Sequence, residues 1–253
     1  MTVFKDLAVI ILAAGKGTRM KSDLPKVLHP VAGKSMVTHV IACANKIVDA
    51  NIHVVIGYQA QRVKDEIGPG ANVGFALQKQ LLGTGDAVKA ALPHIDPGVT
   101  RVMVLCGDVP LIQETTLTDL IQGYDAGRAA VTVLATQVKE PHGYGRIILG
   151  ADGSLAGIRE EADASDQERR IKLVNAGIYC FDMGFLKEAL TQLTPDNSQK
   201  EYYLTDTVAH ARQIGARAGV VITPDARQVI GVNTLEELAR AGVLFEQIRS
   251  ELA

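Results

Sequence analysis

The chain is short of several features that would each announce a class of function. It has no excess of either charge: 26 basic and 28 acidic residues are mixed along 253 positions, a net charge of −2. It therefore carries no electrostatic footprint for nucleic acid or an anionic membrane surface, and small ligands are the expected partners. Cysteine is scarce. Cys43, Cys106 and Cys180 are odd in number and far apart with no CxxC pair, and the 6 histidines form no HxxxH pair, which argues against a disulfide framework or a metal site of ordinary spacing. Long apolar runs are missing too. Those present, such as 102–106, are strand-length rather than the roughly 20 residues that cross a bilayer. The opening "MTVFKDLAVIIL" runs into a strand pattern without a signal-like cleavage site, so a cytoplasmic location is expected. Two phosphate fingerprints fail as well. Gly15 and Gly17 are followed by Met20 where the dinucleotide motif GxGxxG needs a third glycine, and nothing reads GxxxxGK[ST].

What is present points to an ordinary globular core, with 47% hydrophobic and 21% charged residues in a length that suits one large domain or two small ones. Apolar, β-branched runs at 7–12, 52–57, 73–77 and 101–106 alternate with helix-period segments at 36–48, near 59–66 and near 84–92. Runs apolar on both faces and separated by helices predict an α/β, doubly wound, mostly parallel (Rossmann-like) sheet with right-handed crossovers. From about residue 130 the spacing tightens. Strand signals at 129–138, 145–149, 154–158 and 174–182, then helices near 184–192 and 203–214, predict a mixed or antiparallel extension of the sheet. The segment 234–253 reads as one amphipathic helix capped by Asn233 or Thr234. No low-complexity linker or internal repeat interrupts the chain.

The stretch "VIILAAGKGTRMKSDLPKVL" (9–28) leaves the first strand as a loop with two glycines, the fork-shaped cation Arg19 and, after Pro25, the point charge Lys26. Bare backbone N–H groups at the carboxyl end of a parallel strand, with two cations of different shape, suit several phosphates of one polyphosphate. The plain alternative is a tight turn. Asp108 follows the buried run 101–106, where open sheets place their ligands; its carboxylate either serves a turn or faces a cation. Mg²⁺ at a phosphate site needs only one or two protein oxygens. Asn233, from the residues alone, is more readily a helix cap than a metal ligand. Gln78, at the end of a strand pattern, offers both a donor and an acceptor, as the polar edge of a uracil requires.

The series "LAAGKGTRMKSDLPKVL", "LQKQLLGTGDA" (77–87), "LCGDVPLI" (105–112), "GYGRII" (143–148), "GIREEADA" (157–164), "NAGIYCF" (175–181), "EYYLTD" (201–206) and "GVNT" (231–234) resembles, in order and over nearly the whole chain, the sugar-1-phosphate nucleotidyltransferases. The best match is the uridylyltransferase domain of the bifunctional enzymes that make UDP-N-acetylglucosamine. The resemblance implies uridylyl transfer from UTP to N-acetylglucosamine 1-phosphate with Mg²⁺ held by Asp108 and Asn233, and catalytic roles for Arg19, Lys26 and Asp108. It implies nucleotide contacts from Leu12, Ala13, Ala14, Gly15, Lys26, Gln78, Gly83 and Thr84, and sugar contacts from Gly145, Glu160 and Asn175. Asp86 and Cys106 depart from the family pattern, which carries His at the first position and, in some relatives, Tyr at the second. "EYYLTD" matches a loop bordering the sugar, with no single residue assigned. The implied division is a nucleotidyltransferase domain over 1–233 and a helical arm over 234–253. No hexapeptide-repeat domain can be found, so acetyltransferase activity is not expected, and a monomer or weak homodimer is.

Overall fold

The computed structural model describes residues 3–151 and 153–251. Strand β1 (Leu7–Ala13) is central, flanked by parallel β4 (Ile52–Ile56) and β6 (Arg101–Cys106), and β5 (Gly74–Leu77) extends the parallel half beyond β4. On the far side of β6 lies β10 (Leu173–Asp182), antiparallel both to β6 and to β7 (Val131–Gln137), which in turn pairs in parallel with the edge strand β11 (Ala218–Thr223). The hairpin of β8 (Arg146–Leu149) and β9 (Leu155–Arg159) branches from the start of β10, and a two-stranded ribbon, β2 (Pro30–Val31) and β3 (Lys34–Ser35), stands apart. The doubly wound sheet and its antiparallel extension are those expected. The chain runs from β1 outward to β5 and then returns to the other side of β1 at β6. That reversal opens a crevice at the carboxyl ends of the parallel strands.

The buried run of β1 has a simple cause: both faces are covered. Leu7, Val9 and Ile11 pack with α1 (Met36–Ala44) and α4 (Glu114–Gly127), while Ala8 and Ile10 pack with α3 (Thr84–Ala91), α5 (Met183–Gln192) and α6 (Asp206–Gln213). The short α2 (Ala60–Ile67) follows β4. Helix α1 stops at Ala44 rather than continuing to 48, because the chain tightens there into turns through Lys46 N–H to Cys43 O and Ile47 N–H to Ala44 O. Helix α6 begins at Asp206, not 203, since residues 202–204 are bonded to the start of α3 and the turn before it: Tyr202 N–H to Leu82 O at 2.7 Å and Leu204 N–H to the Thr84 hydroxyl at 3.0 Å. Helix α7 (Leu235–Glu251) lays Ala241 and Ile248 on Val31, Met36 and Leu111; positions 252 and 253 of the expected helix lie outside the described residues. Among the described residues no helix is long and apolar enough to cross a membrane.

Candidate active site

The parallel half builds its part of the site from main chain. As β1 ends, Leu12 O accepts the Gly107 N–H from the end of β6 and Ala14 O accepts the Tyr58 N–H from the end of β4, both at 2.9 Å, so the loop starts from a pinned position. A cleft of about 260 Å³ opens there, lined by Leu12, Ala13, Ala14, Gly15, Lys26, Gln78, Gly83 and Thr84 among others. A Cβ on Gly15 would meet nothing within 4 Å, so its backbone faces open cleft. Gly17 has φ +65°, and a Cβ there would fall 2.4 Å from Lys26 Cβ; glycine at this position lets the lysine stem lie against the loop. Across the cleft, Gly83 (φ +108°) turns the chain into α3, with Tyr202 O only 2.7 Å from where a Cβ would sit. The Gln78 amide nitrogen donates to Gly83 O at 3.0 Å and to the Asp86 carboxylate at 2.8 Å.

Two cations and two oxygens meet at the seam between the halves. The Lys26 ammonium bonds the Asp108 carboxylate and also Asn233 Oδ1 at 3.1 Å, and Arg19 donates to the same Oδ1 at 2.9 Å. Although far apart in sequence, the Asp108 and Asn233 segments are joined by the Val232 N–H bond to Asp108 O at 2.9 Å. Thr234, not Asn233, caps α7. Its hydroxyl accepts the Glu237 N–H at 3.2 Å, while the Glu237 carboxylate takes the N–H groups of Asn233 and Thr234 at 2.6 and 3.1 Å, a reciprocal capping box. The Asn233 side chain is thereby left for the site. Asp108 Oδ2 and Asn233 Oδ1 are hard oxygens already converging on one cation, a donor set that fits Mg²⁺ rather than a thiophilic metal. Among the described residues no group of 3 or more His, Cys, Asp or Glu could hold a metal unaided, so further ligands would be water and phosphate.

The antiparallel half contributes side chains held by polar partners. A second cavity, of about 200 Å³, shares Leu12, Thr84, Cys106 and Asp108 with the first and is lined further by Gly145, Glu160, Asn175 and Asn233. Thr205 donates its hydroxyl to Glu160 at 3.0 Å; burial, reinforced by Asp206, Asp163 and Glu201, nevertheless raises the Glu160 carboxyl above its ordinary range. Asn175 Nδ2 donates to the Tyr179 hydroxyl at 2.7 Å and its Oδ1 accepts the Gly177 N–H at 2.9 Å. This fixation depends on an irregularity in β10 between Asn175 and Tyr179, where Gly177 takes φ +72° and a Cβ would press on Cys106 Sγ at 2.9 Å. The Cys106 thiol donates to Gly177 O, and burial pushes its pKa up to about 12, so it is no nucleophile at neutral pH. Arg146, fully buried, bonds Tyr144 O and the Glu161 carboxylate (2.7 Å), which also accepts the Gly143 N–H, and so ties down the loop bearing Gly145.

The structure thus brings the expected residues to two adjoining cavities, with Arg19 exposed and reaching over Asn233. Sequence reasoning missed the holders. Thr205 and Tyr179 sit inside motifs it quoted and Arg146 inside "GYGRII", but only their contacts separate them from their neighbours. The family model described as "Nucleotidyl transferase" matches residues 8–226. "Bifunctional protein GlmU" of Geobacter metallireducens is 48% identical over 96% of this chain and 51% of the relative, and that of Mycolicibacterium vanbaalenii is 46% identical over 96% and 51%. The chain spans about half the length of these curated relatives. A Bacillus anthracis structure named for a glucose-1-phosphate thymidylyltransferase, in complex with a sucrose, superposes with TM-score 0.73 over 94% of this chain and 95% of its own at 19% identity, a likeness of fold.

Proposed function

The chain belongs to the nucleotidyl transferase family, and we propose that it transfers a uridylyl group from UTP to N-acetyl-α-D-glucosamine 1-phosphate, giving UDP-N-acetylglucosamine and pyrophosphate with Mg²⁺ as cofactor. The observation that carries this reading is the pair of cavities joined at Asp108, one walled by main chain and Gln78, the other by buried polar side chains. An acceptor phosphate in the second cavity faces a nucleotide phosphate in the first.

In the reaction an oxygen of the sugar phosphate bonds to the α-phosphorus of UTP as the bond from that phosphorus to the bridging oxygen of the β-phosphate breaks, and the electron pair leaves with pyrophosphate. The attacking oxygen is already anionic, so no general base is needed; the work is to align two anions and offset their repulsion. Lys26, whose ammonium stands at the seam, meets charge at the α-phosphate, and Arg19 at the exposed edge grips the β- and γ-phosphates. A divalent ion held by Asp108 and Asn233 would add Lewis-acid charge neutralisation and a template for the two phosphates. Glu160 and Asn175 accept and donate hydrogen bonds to the sugar hydroxyls and amide, and Gly145 leaves room for the ring.

The test is pyrophosphate release by the purified chain from UTP, ATP and CTP, each with N-acetylglucosamine 1-phosphate or glucose 1-phosphate, with and without Mg²⁺. The expected result is release that requires Mg²⁺ and a sugar 1-phosphate and favours UTP with the N-acetylated sugar. Equal rates with the two sugars, or a preference for ATP, would overturn the substrate assignment.

A further inference from the structure

Gln78 is 5% exposed, and both partners of its amide nitrogen are acceptors only: the main-chain carbonyl of Gly83 at 3.0 Å and the carboxylate of Asp86 at 2.8 Å. An amide oxygen turned toward them would face two oxygens, so the orientation of the Gln78 amide follows from chemistry. Both hydrogens of Nε2 are then engaged. Among the described residues no donor meets Oε1, and Gln78 lines the cleft assigned to the nucleotide. Asp86 itself is well placed to hold this arrangement, since it sits in the first turn of α3, where the helix dipole favours a negative charge.

We propose that Asp86 is a positioning residue for base selection. By holding Nε2 it makes Gln78 present an acceptor, and not a donor, to the nucleobase. The site then takes a pyrimidine with an imide N–H, a uracil or thymine ring. A cytosine in the same place puts the lone pair of its N3 against Oε1, and the amide cannot turn over to offer N–H instead. This rests on the uridylyl-transfer reading of the same cleft.

The experiment measures kcat/KM for UTP, CTP and 3-methyl-UTP, whose N3 carries a methyl in place of the hydrogen, in wild type, Asp86→Asn and Asp86→Glu, with a melting midpoint for each. The wild type should reject CTP and 3-methyl-UTP. Asparagine at position 86 can donate as well as accept, so Asp86→Asn should lower the UTP-to-CTP ratio about tenfold, the scale of one hydrogen bond to a charged group, while the longer carboxylate of Asp86→Glu restores part of it. A merely structural role would lower all three nucleotides together and leave the ratio where it was. If Asp86→Asn does not fold, Asp86→Ser carries the same measurement. An unchanged ratio in a folded Asp86 variant of a selective wild type overturns the proposal and spares the function beneath it. A wild type that uses UTP and 3-methyl-UTP equally overturns the base reading itself.

Discussion

The two halves of the site solve the same problem, a surface that must not move, by different means. On the parallel side the cleft is framed by the loops that leave the strands, whose own positions follow from apolar packing on both faces. The ends of β1, β4 and β6 are tied to one another by carbonyl bonds at 2.9 Å. On the antiparallel side the second cavity is lined by side chains held by polar neighbours: Glu160 by Thr205, Asn175 by Tyr179 and Gly177, with the Gly145 loop held by Arg146. The first arrangement fails by backbone distortion and takes local folding with it. The second can lose function while the fold survives, because a buried polar holder contributes modestly to stability when it is replaced by a group that still satisfies its partner.

Asp108 belongs to both halves, and its removal should have the largest effect. Asp108→Ala takes away a carboxylate that faces Lys26 and the proposed metal position together. Turnover should fall about a hundredfold or more, the scale of roughly 3 kcal/mol of transition-state stabilisation, with a much smaller rise in the apparent Kd for UTP measured by calorimetry. Near-normal turnover at saturating Mg²⁺ would show that Asp108 only shapes its turn.

A matched pair of glycine substitutions separates the halves directly. At Gly83, φ +108° with ψ 179° is backbone that side chains avoid, and a Cβ would stand 2.7 Å from Tyr202 O and 2.9 Å from Tyr202 N. Gly83→Ala should cost about 1–3 kcal/mol from the backbone alone, a Tm lower by roughly 2–12 °C. Gly145 has no such strain, and its Cβ would meet the Ile158 methyl at 3.0 Å and Asn175 Cβ and Glu160 Oε2 at 3.5 Å. Gly145→Ala should keep its Tm within about 2 °C yet raise KM for the sugar phosphate about tenfold, with little change in KM for UTP. The reverse pattern of melting and KM would erase the distinction drawn between the halves.

The same contrast explains what could be read in advance. The parallel half was legible because β1, β4 and β6 are buried on both faces and show it as largely apolar, strand-length runs, and because the loops that line its cleft are glycine-bearing stretches. Helix α4 went unread although Leu117, Leu120, Ile121 and Tyr124 have helical spacing, since the threonines and glycines that the same segment carries (Thr115, Thr116, Thr118, Gly123 and Gly127) are weak helix formers. Strand β11 went unread because it is an edge with only one neighbour, half-exposed and opened by Ala218 and Gly219. In the antiparallel half, Glu160 and Asn175 were singled out by resemblance alone. A buried carboxylate or amide looks like any other in a sequence, and Thr205 lies 45 positions from the Glu160 it holds. Asn233 shows the limit most clearly: beside Thr234 it reads as a helix cap, and only the capping box of Thr234 and Glu237 shows that its side chain is not the cap and turns instead to Arg19 and Lys26.

The smallest expected effect tests whether the antiparallel half trades stability for the proposed sugar recognition. Glu160 is held above the ordinary carboxylate range chiefly by burial, with Asp206, Asp163 and Glu201 adding to the rise and the Thr205 hydroxyl opposing it. A carboxyl whose folded pKa is raised favours the fold fully below its unfolded pKa, about 4.3, and loses that contribution as the pH climbs through the raised value. Above that raised value the ionised Glu160 is therefore a net burden on the unliganded protein. Glu160→Gln keeps an oxygen that can accept from Thr205 and removes the charge. It should melt roughly 1–3 °C higher than wild type at pH 7, with the gap narrowing as the pH is lowered toward 5, while KM for the sugar phosphate rises. Thermal melts of both proteins across this range read the outcome: a gap that stayed constant with pH would mean that the carboxylate is not what burdens the fold, and a lower Tm for the glutamine variant at pH 7 would mean that its charge stabilises the antiparallel half instead.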